Sequence, residues 1–387
     1  MSSKFERERW HYPVLDRYTY LDTATTGLIP QYACDAMTEY LQNRTNLGMD
    51  IDDYHEQWEF ADDVRREIAA VIGADGPDEI AFGQNSSTLF NIFCNGLQIK
   101  KGDNIIIYAS AFPAMTYQWI NMHEQMGVEI RVAETVNGET APEKLFALAD
   151  EHTKAITVCF VDSGTGYRHD LKTIGTWCRA HHIFFGVDAT QACGAMRLDV
   201  KEMCIDFLTT STYKWLQSIQ GLGFAFIDRN FLPHLRQTEM GWANVADRIN
   251  GEPFDMILSK TACRFENGGL PAVGLYGLHQ TIQTYLRLGG EDIENYILDL
   301  TDHLYDEVNK ISGISIACPH ERRYRSGLVS LKLDSPAGLT ERSLREAGIR
   351  AKIQGPDRIR IGIHYYNNQN DIDRFLKYLT AVVKGEL

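Results

Sequence analysis

Between Glu79 and Asp228, short runs rich in isoleucine, valine and phenylalanine alternate with longer segments of helical pattern. This alternation is typical of repeated strand–helix–strand units, which build a mostly parallel sheet with helices on both faces. The apolar runs predict strands near 104–108, 128–132, 155–161, 183–187 and 206–210. Helices that open with proline or polar residues are predicted between them at 113–125, 142–150 and 171–181. Ligands of such sheets bind beyond the carboxyl ends of the strands, so the polar residues there are the candidates for function.

A different pattern begins after Gly269. The sequence there predicts two long helices, two strands and a final helix, at about 270–288, 291–311, 327–333, 358–364 and from residue 371 onward. We therefore expect an α/β protein with two domains. The large, mostly parallel mixed-sheet domain would span 20–288, and the smaller α+β domain would combine 1–19 with 289–387.

Composition narrows the classes of function. Thirty-eight basic residues against fifty-two acidic ones give a net charge of −14. No cluster of lysine and arginine offers the positive surface that nucleic acid requires, so no nucleic-acid partner is expected. The eight cysteines form no C-x-x-C pair, which is typical of a reducing cytoplasm, and no metal site is predicted. The polar start and the lack of an apolar stretch of about 18 residues predict neither export nor membrane insertion.

Two polar motifs follow predicted strands. In IFFGVDATQACG, Asp188 ends an apolar run and Gln191 follows three residues later. A carboxylate at this place serves a metal, a ribose or a protonated ring nitrogen, or simply caps a turn. Further on, TTSTYKWLQSIQGLGF puts Lys214 in a polar turn after two hydroxyl donors, Ser211 and Tyr213. Desolvation makes the neutral, nucleophilic form of such a lysine accessible, as Schiff-base chemistry requires.

A third motif, FGQNSSTLFNIF, places the polar stretch 84–88 directly before an apolar helical pattern. The start of that helix would bind a phosphate through free N–H groups and the hydroxyls of Ser86 and Ser87, although a plain helix cap is the alternative. Combined with a ring-nitrogen carboxylate at Asp188 and a Schiff-base Lys214, a phosphate site describes one cofactor, pyridoxal 5′-phosphate (PLP).

These motifs resemble the class V aminotransferase family of fold-type I PLP enzymes, which includes cysteine desulfurases, kynureninases and isopenicillin N epimerase. The resemblance covers nearly the whole chain. It implies a fold-type I PLP-dependent transferase fold and a homodimer with active sites at the subunit interface. The motifs that carry it, in chain order, are YLDTATTGLIP (20–30), Ser86–Ser87, SAFPA (110–114), Asp188-x-x-Gln191, STYK (211–214), RFENGG (264–269) and RIRIGIHYYN (358–367).

By this resemblance Lys214 carries the cofactor as an aldimine, Asp188 keeps the pyridine nitrogen protonated, and Gln191 bonds the phenolic oxygen. Phe112 is expected to stack on the ring, with core packing as its alternative. The residues expected to hold the phosphate are Ser86, Ser87, Ser211 and Tyr213. Those expected to approach the phosphate of the neighbouring subunit are Asn267, Gly268 and Gly269.

The substrate site is implied more coarsely. Arg360 matches the family's carboxylate-binding arginine, with a surface ion pair as its alternative, and Thr26 is a second candidate for substrate binding. Lys214 is expected to move the α-proton as general base and acid. Plausible further neighbours of the substrate are Tyr20, Thr25, Trp242, Asn244, His364 and Tyr365.

Two departures from the family pattern bear on the reaction. The stretch 345–362 before and around Arg360 lacks the cysteine of cysteine desulfurases, and the nearest upstream cysteine is Cys318. A persulfide-forming desulfurase is therefore not expected. In addition, Ser163 stands where many relatives have asparagine. The segment Arg168–Asp170 is interpreted as a polar turn that caps the next helix.

The leading hypothesis is an amino-acid aminotransferase that works through a Lys214 aldimine. The alternative is a PLP-dependent lyase that eliminates a sulfur, selenium or other β- or γ-substituent, or an epimerase, in each case without a catalytic cysteine. A non-catalytic PLP-binding protein is the third hypothesis, and the presence of Lys214 argues against it. The shared residues serve all of these reactions, so the motifs identify neither the reaction nor the amino acid.

Overall fold

The computed structural model describes residues 3–248, 254, 256–317, 319–336 and 338–386. Its strands are β1 (Thr19–Tyr20), β2 (Ile80–Gly83), β3 (Asn104–Tyr108), β4 (Glu129–Ala133), β5 (Thr153–Cys159), β6 (Phe184–Asp188), β7 (Phe207–Ser211), β8 (Gly223–Ile227), β9 (Ile314–Ile316), β10 (Leu328–Leu333), β11 (Ile349–Arg350), β12 (Lys352–Gln354) and β13 (Arg358–Gly362).

Its helices are α1 (Lys4–Arg9), α2 (Gln31–Asn46), α3 (Ile51–Ile72), α4 (Ser86–Gly96), α5 (Pro113–Met126), α6 (Pro142–Phe146), α7 (Leu171–Ala180), α8 (Ala272–Leu288), α9 (Gly290–Val308), α10 (Glu341–Glu346) and α11 (Gln369–Val383). The predicted strands and helices of the sheet region are confirmed, with one exception. The helix predicted at 142–150 ends at Phe146, because residues 147–152 turn directly into β5.

Seven strands form the main sheet in the order β2-β8-β7-β6-β5-β3-β4. Strand β8 runs antiparallel to both of its neighbours, and the remaining pairs are parallel. The connection β3–α5–β4 therefore moves towards one edge of the sheet, whereas β5–α7–β6 moves towards the other. Because such crossovers are right-handed, the two helices lie on opposite faces. The carboxyl ends of β2, β3, β5, β6 and β7 consequently meet at one edge, which is where the polar motifs lie.

A second, antiparallel sheet has the order β12-β13-β10-β9. It packs with α9, α10 and α11 around a separate hydrophobic cluster that includes Leu331, Ile359, Ile361, Phe375 and Leu379. The short strand β1 pairs in parallel with β11, so the segment at the start of the YLDTATTGLIP motif joins this part of the molecule. The domain boundary placed at 288/289 stays a prediction. Among the described residues, no helix combines the length and apolarity that crossing a bilayer requires.

Candidate active site

A cavity of about 530 Å³ opens at the carboxyl edge of the main sheet. Its walls come from the first turn of α4 and from the segments that follow β3, β5, β6 and β7. The lining residues are Gln84, Asn85, Ser86, Ser87, Thr88, Phe112, Cys159, Val161, Ser163, Asp188, Thr190, Gln191, Ser211, Tyr213, Lys214, Gln220 and Gly221. The three polar motifs of the sequence therefore meet in one place.

Lys214 follows β7, and its Nζ lies 5.8 Å from the ring centroid of Phe112 and 5.7 Å from that of Tyr213. Burial lowers the pKa of this lysine to about 8, and the positive charge of Arg360 acts in the same direction against the opposing charge of Asp188. A substantial neutral fraction is thus present near pH 8. Gly27 packs against the loop so closely that a Cβ there would clash with the Lys214 carbonyl.

Asp188 ends β6 and is buried, so desolvation raises the pKa of its carboxyl group. Hydrogen bonds from Thr190 and the charge of Lys214 work in the opposite direction, and the Thr190 N–H donates to Oδ1 at 2.8 Å. A cation placed in the cavity would therefore stabilise the ionised form of Asp188. A protonated ring nitrogen is such a cation.

The start of α4 is tied to the neighbouring strand ends by hydroxyl groups. The Ser86 N–H donates to the Ser211 Oγ at 2.9 Å, and the two hydroxyls lie 3.2 Å apart. The Ser211 N–H donates in turn to the Thr190 Oγ1 at 3.1 Å. Asn85 caps the helix by accepting the Thr88 N–H at 2.9 Å. The N-terminus of this eleven-residue helix is surrounded by hydroxyl groups and fits a phosphate group.

Gln191 is buried beside Asp188 and lines the cavity. Its Nε2 donates to the Ala24 carbonyl at 3.0 Å, while its Oε1 accepts the Trp215 indole N–H at 2.8 Å. The side chain is therefore fixed between the N-terminal segment and the loop that carries Lys214. Trp215 was not singled out from the sequence, because an apolar residue after a lysine carries no local signal of such a contact.

Arg360, on β13, approaches the same region from the second sheet. Neither Arg360 nor Thr25 is among the lining residues, but Arg360 bonds Ser163, which is. Its Nη1 donates to the Ser163 carbonyl at 2.9 Å and its Nη2 to the Thr25 hydroxyl at 2.8 Å. Asp22 Oδ1 lies 4.0 Å from Nη2. Burial lowers the pKa of Arg360, and Asp22 opposes that shift. Arg360 is 11% exposed and bonded to Ser163 of the cavity wall, so its ion pair with Asp22 is largely buried and does not lie on the open surface.

Several predicted neighbours lie elsewhere. His364 and Tyr365 are fully buried outside the cavity lining, so their proposed substrate contact is wrong. Trp242 packs beside Tyr54 and Trp58, also outside the lining. Asn244 is buried among backbone carbonyls of the segment 264–267. Packing in the interior accounts for His364, Tyr365 and Asn244, whereas Trp242 is 50% exposed. The sequence pattern does not distinguish these environments.

Of the N-terminal candidates Tyr20, Thr25 and Thr26, one contacts Arg360. Thr25, and not Thr26, contacts its guanidinium. The Thr26 carbonyl accepts the Tyr20 hydroxyl at 2.7 Å, and neither residue lines the cavity. Thr26 and Tyr20 therefore shape the segment that presents Thr25.

Phe112 is 44% exposed at the start of α5 and lines the cavity, so the core-packing alternative is wrong. The lining residues missed from the sequence are Cys159, Val161, Thr190, Gln220 and Gly221. Thr190 could have been found from its position between Asp188 and Gln191, whereas Cys159 looked like an ordinary strand residue.

Asn267, Gly268 and Gly269 lie outside the cavity of their own chain. The Asn267 side chain bonds Asn244 and Glu239, each at 3.0 Å, and a Cβ added at Gly269 would meet no atom within 4 Å.

Two further predictions concern residues outside the cavity. Asp170 caps α7 by accepting the Thr173 N–H at 3.0 Å, as the polar-turn interpretation predicted. Cys318 lies outside the described residues.

The seven-stranded sheet with a helix start, a buried carboxylate and a lysine at its carboxyl edge defines a fold-type I enzyme that uses pyridoxal 5′-phosphate. The chain belongs to the aminotransferase class-V family, whose model matches residues 19–375. The resemblance, the fold class and the cofactor expected from the sequence are thereby confirmed.

Several similar proteins carry the names of sulfur enzymes. A probable cysteine desulfurase from Methanothermobacter thermautotrophicus is 27% identical over 380 residues, which are 93% of each chain. A structure of C-DES with glycine covalently linked to its PLP cofactor has a TM-score of 0.88 at 24% identity, covering 97% of this chain and 99% of that one. The cystine C-S lyase C-DES in complex with its reaction product, cysteine persulfide, matches with the same TM-score and identity over 96% and 99% of the chains.

Proposed function

We propose that this protein is a PLP-dependent lyase that cleaves the bond between carbon and sulfur, or selenium, on the side chain of a cysteine-like amino acid. The sulfur chemistry of the named relatives favours this alternative over the aminotransferase that led the sequence analysis. The observation that carries it is the composition of the cavity wall. Among the described residues, its one thiol is Cys159, which is 4% exposed and whose pKa burial raises.

A cysteine nucleophile that accepts sulfur needs an accessible thiolate. Cys159 offers a buried thiol held in its neutral form, and no cysteine occurs in the stretch 345–362 around Arg360. Direct elimination needs no such nucleophile. The C–S bond breaks, sulfur leaves as a thiol or persulfide, and with one water the remaining carbons leave as a keto acid and ammonia.

The proposed cofactor contacts follow the cavity wall. Lys214 would hold the cofactor covalently, Asp188 would face the ring nitrogen, Gln191 the ring oxygen and Phe112 the ring face. The phosphate would bind at the start of α4 and the carboxyl end of β7, to Ser86, Ser87, Ser211 and Tyr213. Bound PLP supplies an electron sink for the pair released at the α-carbon.

Lys214 is the proposed catalytic acid and base. Its pKa of about 8 leaves a neutral amine available near physiological pH, which is the form that removes a proton from the α-carbon. The resulting ammonium then supplies the proton to the leaving sulfur. Asp188 raises the pKa of this lysine and Arg360 lowers it, so the two charges together set its value.

Arg360 is the proposed site for the substrate carboxylate. Its Nη atoms are anchored by the Ser163 carbonyl and the Thr25 hydroxyl, while its Nε is buried and has no partner among the described residues. The guanidinium therefore keeps donors for an incoming carboxylate. The carbonyl of Ser163 provides an anchor at the position where relatives carry asparagine.

We also propose that the active form is a dimer, in which Asn267, Gly268 and Gly269 approach the phosphate site of the second copy. The segment is firmly anchored, since the Glu266 carboxylate accepts hydrogen bonds from Arg65 and from the Phe82 N–H. It nevertheless leaves open space beside Gly269, where an added Cβ would meet no atom within 4 Å. Analytical ultracentrifugation tests the dimer.

A reducing, cytoplasmic location is likewise proposed. The described cysteines, seven in number, are all free and mostly buried.

The experiment that tests the reaction uses the purified holoenzyme and single amino acids without a keto-acid acceptor. Cystine, S-alkylcysteines and selenocysteine are compared with alanine and serine, and keto acid, ammonia and released sulfur or selenium are measured. The proposal predicts many turnovers with equal amounts of the three products. A keto-acid yield that stops at one per active site would establish transamination instead, and a change of optical rotation alone would establish epimerisation.

A further inference from the structure

The side-chain amide of Gln191 has one orientation that satisfies both of its neighbours. The Trp215 indole N–H can only donate, and the Ala24 carbonyl can only accept. Exchanging the oxygen and nitrogen of the amide would break the hydrogen bonds of 2.8 Å and 3.0 Å together. The second hydrogen of Nε2 has no acceptor in the described part of the chain, and Gln191 lines the cavity.

Trp215 is itself held firmly. Its side chain is 1% exposed, and its ring stacks on that of His364 with centroids 5.5 Å apart. The His364 Nδ1 accepts the Tyr365 N–H at 2.8 Å, so its Nε2 donates to the Trp215 carbonyl at 2.9 Å. A Cβ added at Gly327 would lie 3.0 Å from the indole ring. An indole packed this closely keeps one rotamer.

We propose that Trp215 is a positioning residue that orients Gln191 so that the free amide N–H serves the ring oxygen of the bound cofactor. It acts through Gln191 and does not touch the reacting atoms. A donor at that oxygen favours its ionised form. Since Trp215 directly follows Lys214, the loop that carries the lysine also fixes the Gln191 amide, which would lie beside the cofactor ring. This role rests on the cofactor site proposed above and is independent of which reaction follows.

The test is a pH titration of the visible absorbance of the holoenzyme without substrate. Trp215→Phe keeps an aromatic ring and removes the N–H, so the Gln191 amide loses its orientation. The absorbance midpoint reports the proton shared between the lysine nitrogen and the ring oxygen, and it should rise by roughly one pH unit in this variant. Gln191→Ala should raise it at least as much. The double variant should show no further rise, because both changes remove the same donor.

Trp119→Phe is the matched control. Its indole is also fully buried and donates to the Thr157 hydroxyl at 3.2 Å, but it lies outside the cavity lining, so its midpoint should equal that of the wild type. A shift in Gln191→Ala without one in Trp215→Phe would show that Gln191 needs no orientation by the indole. An unchanged midpoint in Gln191→Ala overturns the proposal by itself, even if Trp215→Phe does not fold. Asp188 and Arg360, the charged groups with the largest influence on the pKa of the lysine, are unchanged in all of these variants.

Discussion

The two sides of the cavity are built differently. On the cofactor side, Ser86, Thr190 and Ser211 bond one another, so the wall is complete before anything binds. On the proposed substrate side, Arg360 is anchored by one carbonyl and one hydroxyl, and its Nε remains without a partner among the described residues. The residues proposed to hold the cofactor are therefore tied to one another in advance, whereas the proposed carboxylate-binding group retains hydrogen-bonding capacity that a substrate would satisfy.

Removing the lysine should have the largest effect on the cofactor side. Lys214→Ala takes away both the covalent link and the proposed acid and base, so turnover should fall roughly 10³-fold or more. Steady-state product formation measures the loss. Lys172→Ala, at a surface lysine paired with Glu202, is the control and should match the wild type. A Lys214→Ala enzyme within tenfold of the wild type would contradict the assignment of this lysine.

Arg360→Lys tests the substrate side. A lysine keeps the charge but loses the paired donors, so KM should rise on the order of tenfold or more while kcat changes little. Kinetics with a sulfur-containing amino acid separates the two constants. Arg358→Lys, an exposed change two residues earlier on β13, should leave both constants as they are. A fall in kcat on the order of tenfold with an unchanged KM would show that Arg360 acts in the transition state alone. That result would contradict the proposed carboxylate site.

A smaller effect is expected from pH on the attachment of the cofactor to the apoprotein. Burial places the pKa of Lys214 at about 8, below its ordinary value, and the neutral amine is the attacking form. The attachment rate should therefore rise with pH below about 8 and level off above it. Rapid mixing of the apoprotein with PLP at several pH values measures the rate. A rate that keeps rising to pH 10 would indicate an unperturbed lysine.

The smallest effect is predicted for Cys159→Ala. If sulfur leaves without transfer to a protein thiol, kcat/KM should change by less than about threefold, within the range of a small packing change. Cys193→Ala, at another buried cysteine outside the cavity lining, is the matched control. A loss of sulfur release restricted to the Cys159 variant would identify this thiol as the acceptor and restore a desulfurase mechanism.

The cofactor side was largely predictable from the sequence, because each of its parts is local. Asp188 ends β6, Lys214 comes three residues after β7, and the start of α4 follows β2. Residues at the carboxyl ends of parallel strands meet at one edge of the sheet, so the sequence alone predicts that they lie together. The family resemblance then supplied the order of the motifs.

The substrate side was less predictable, because it depends on contacts between distant segments. Thr25 was only one of several possible neighbours of the substrate, and its contact with Arg360 joins residues 335 positions apart. His364 and Tyr365 have the polar and aromatic character of recognition residues, yet they pack in the core. The partnership of Trp215 with Gln191 likewise exists only once the sheet is assembled.

The most direct test of the account is to reduce the holoenzyme with borohydride, digest it and locate the modified lysine by mass spectrometry. One reduced cofactor per chain is expected, on the peptide that contains Lys214. A cofactor fixed to another lysine, or none retained after reduction, would contradict it.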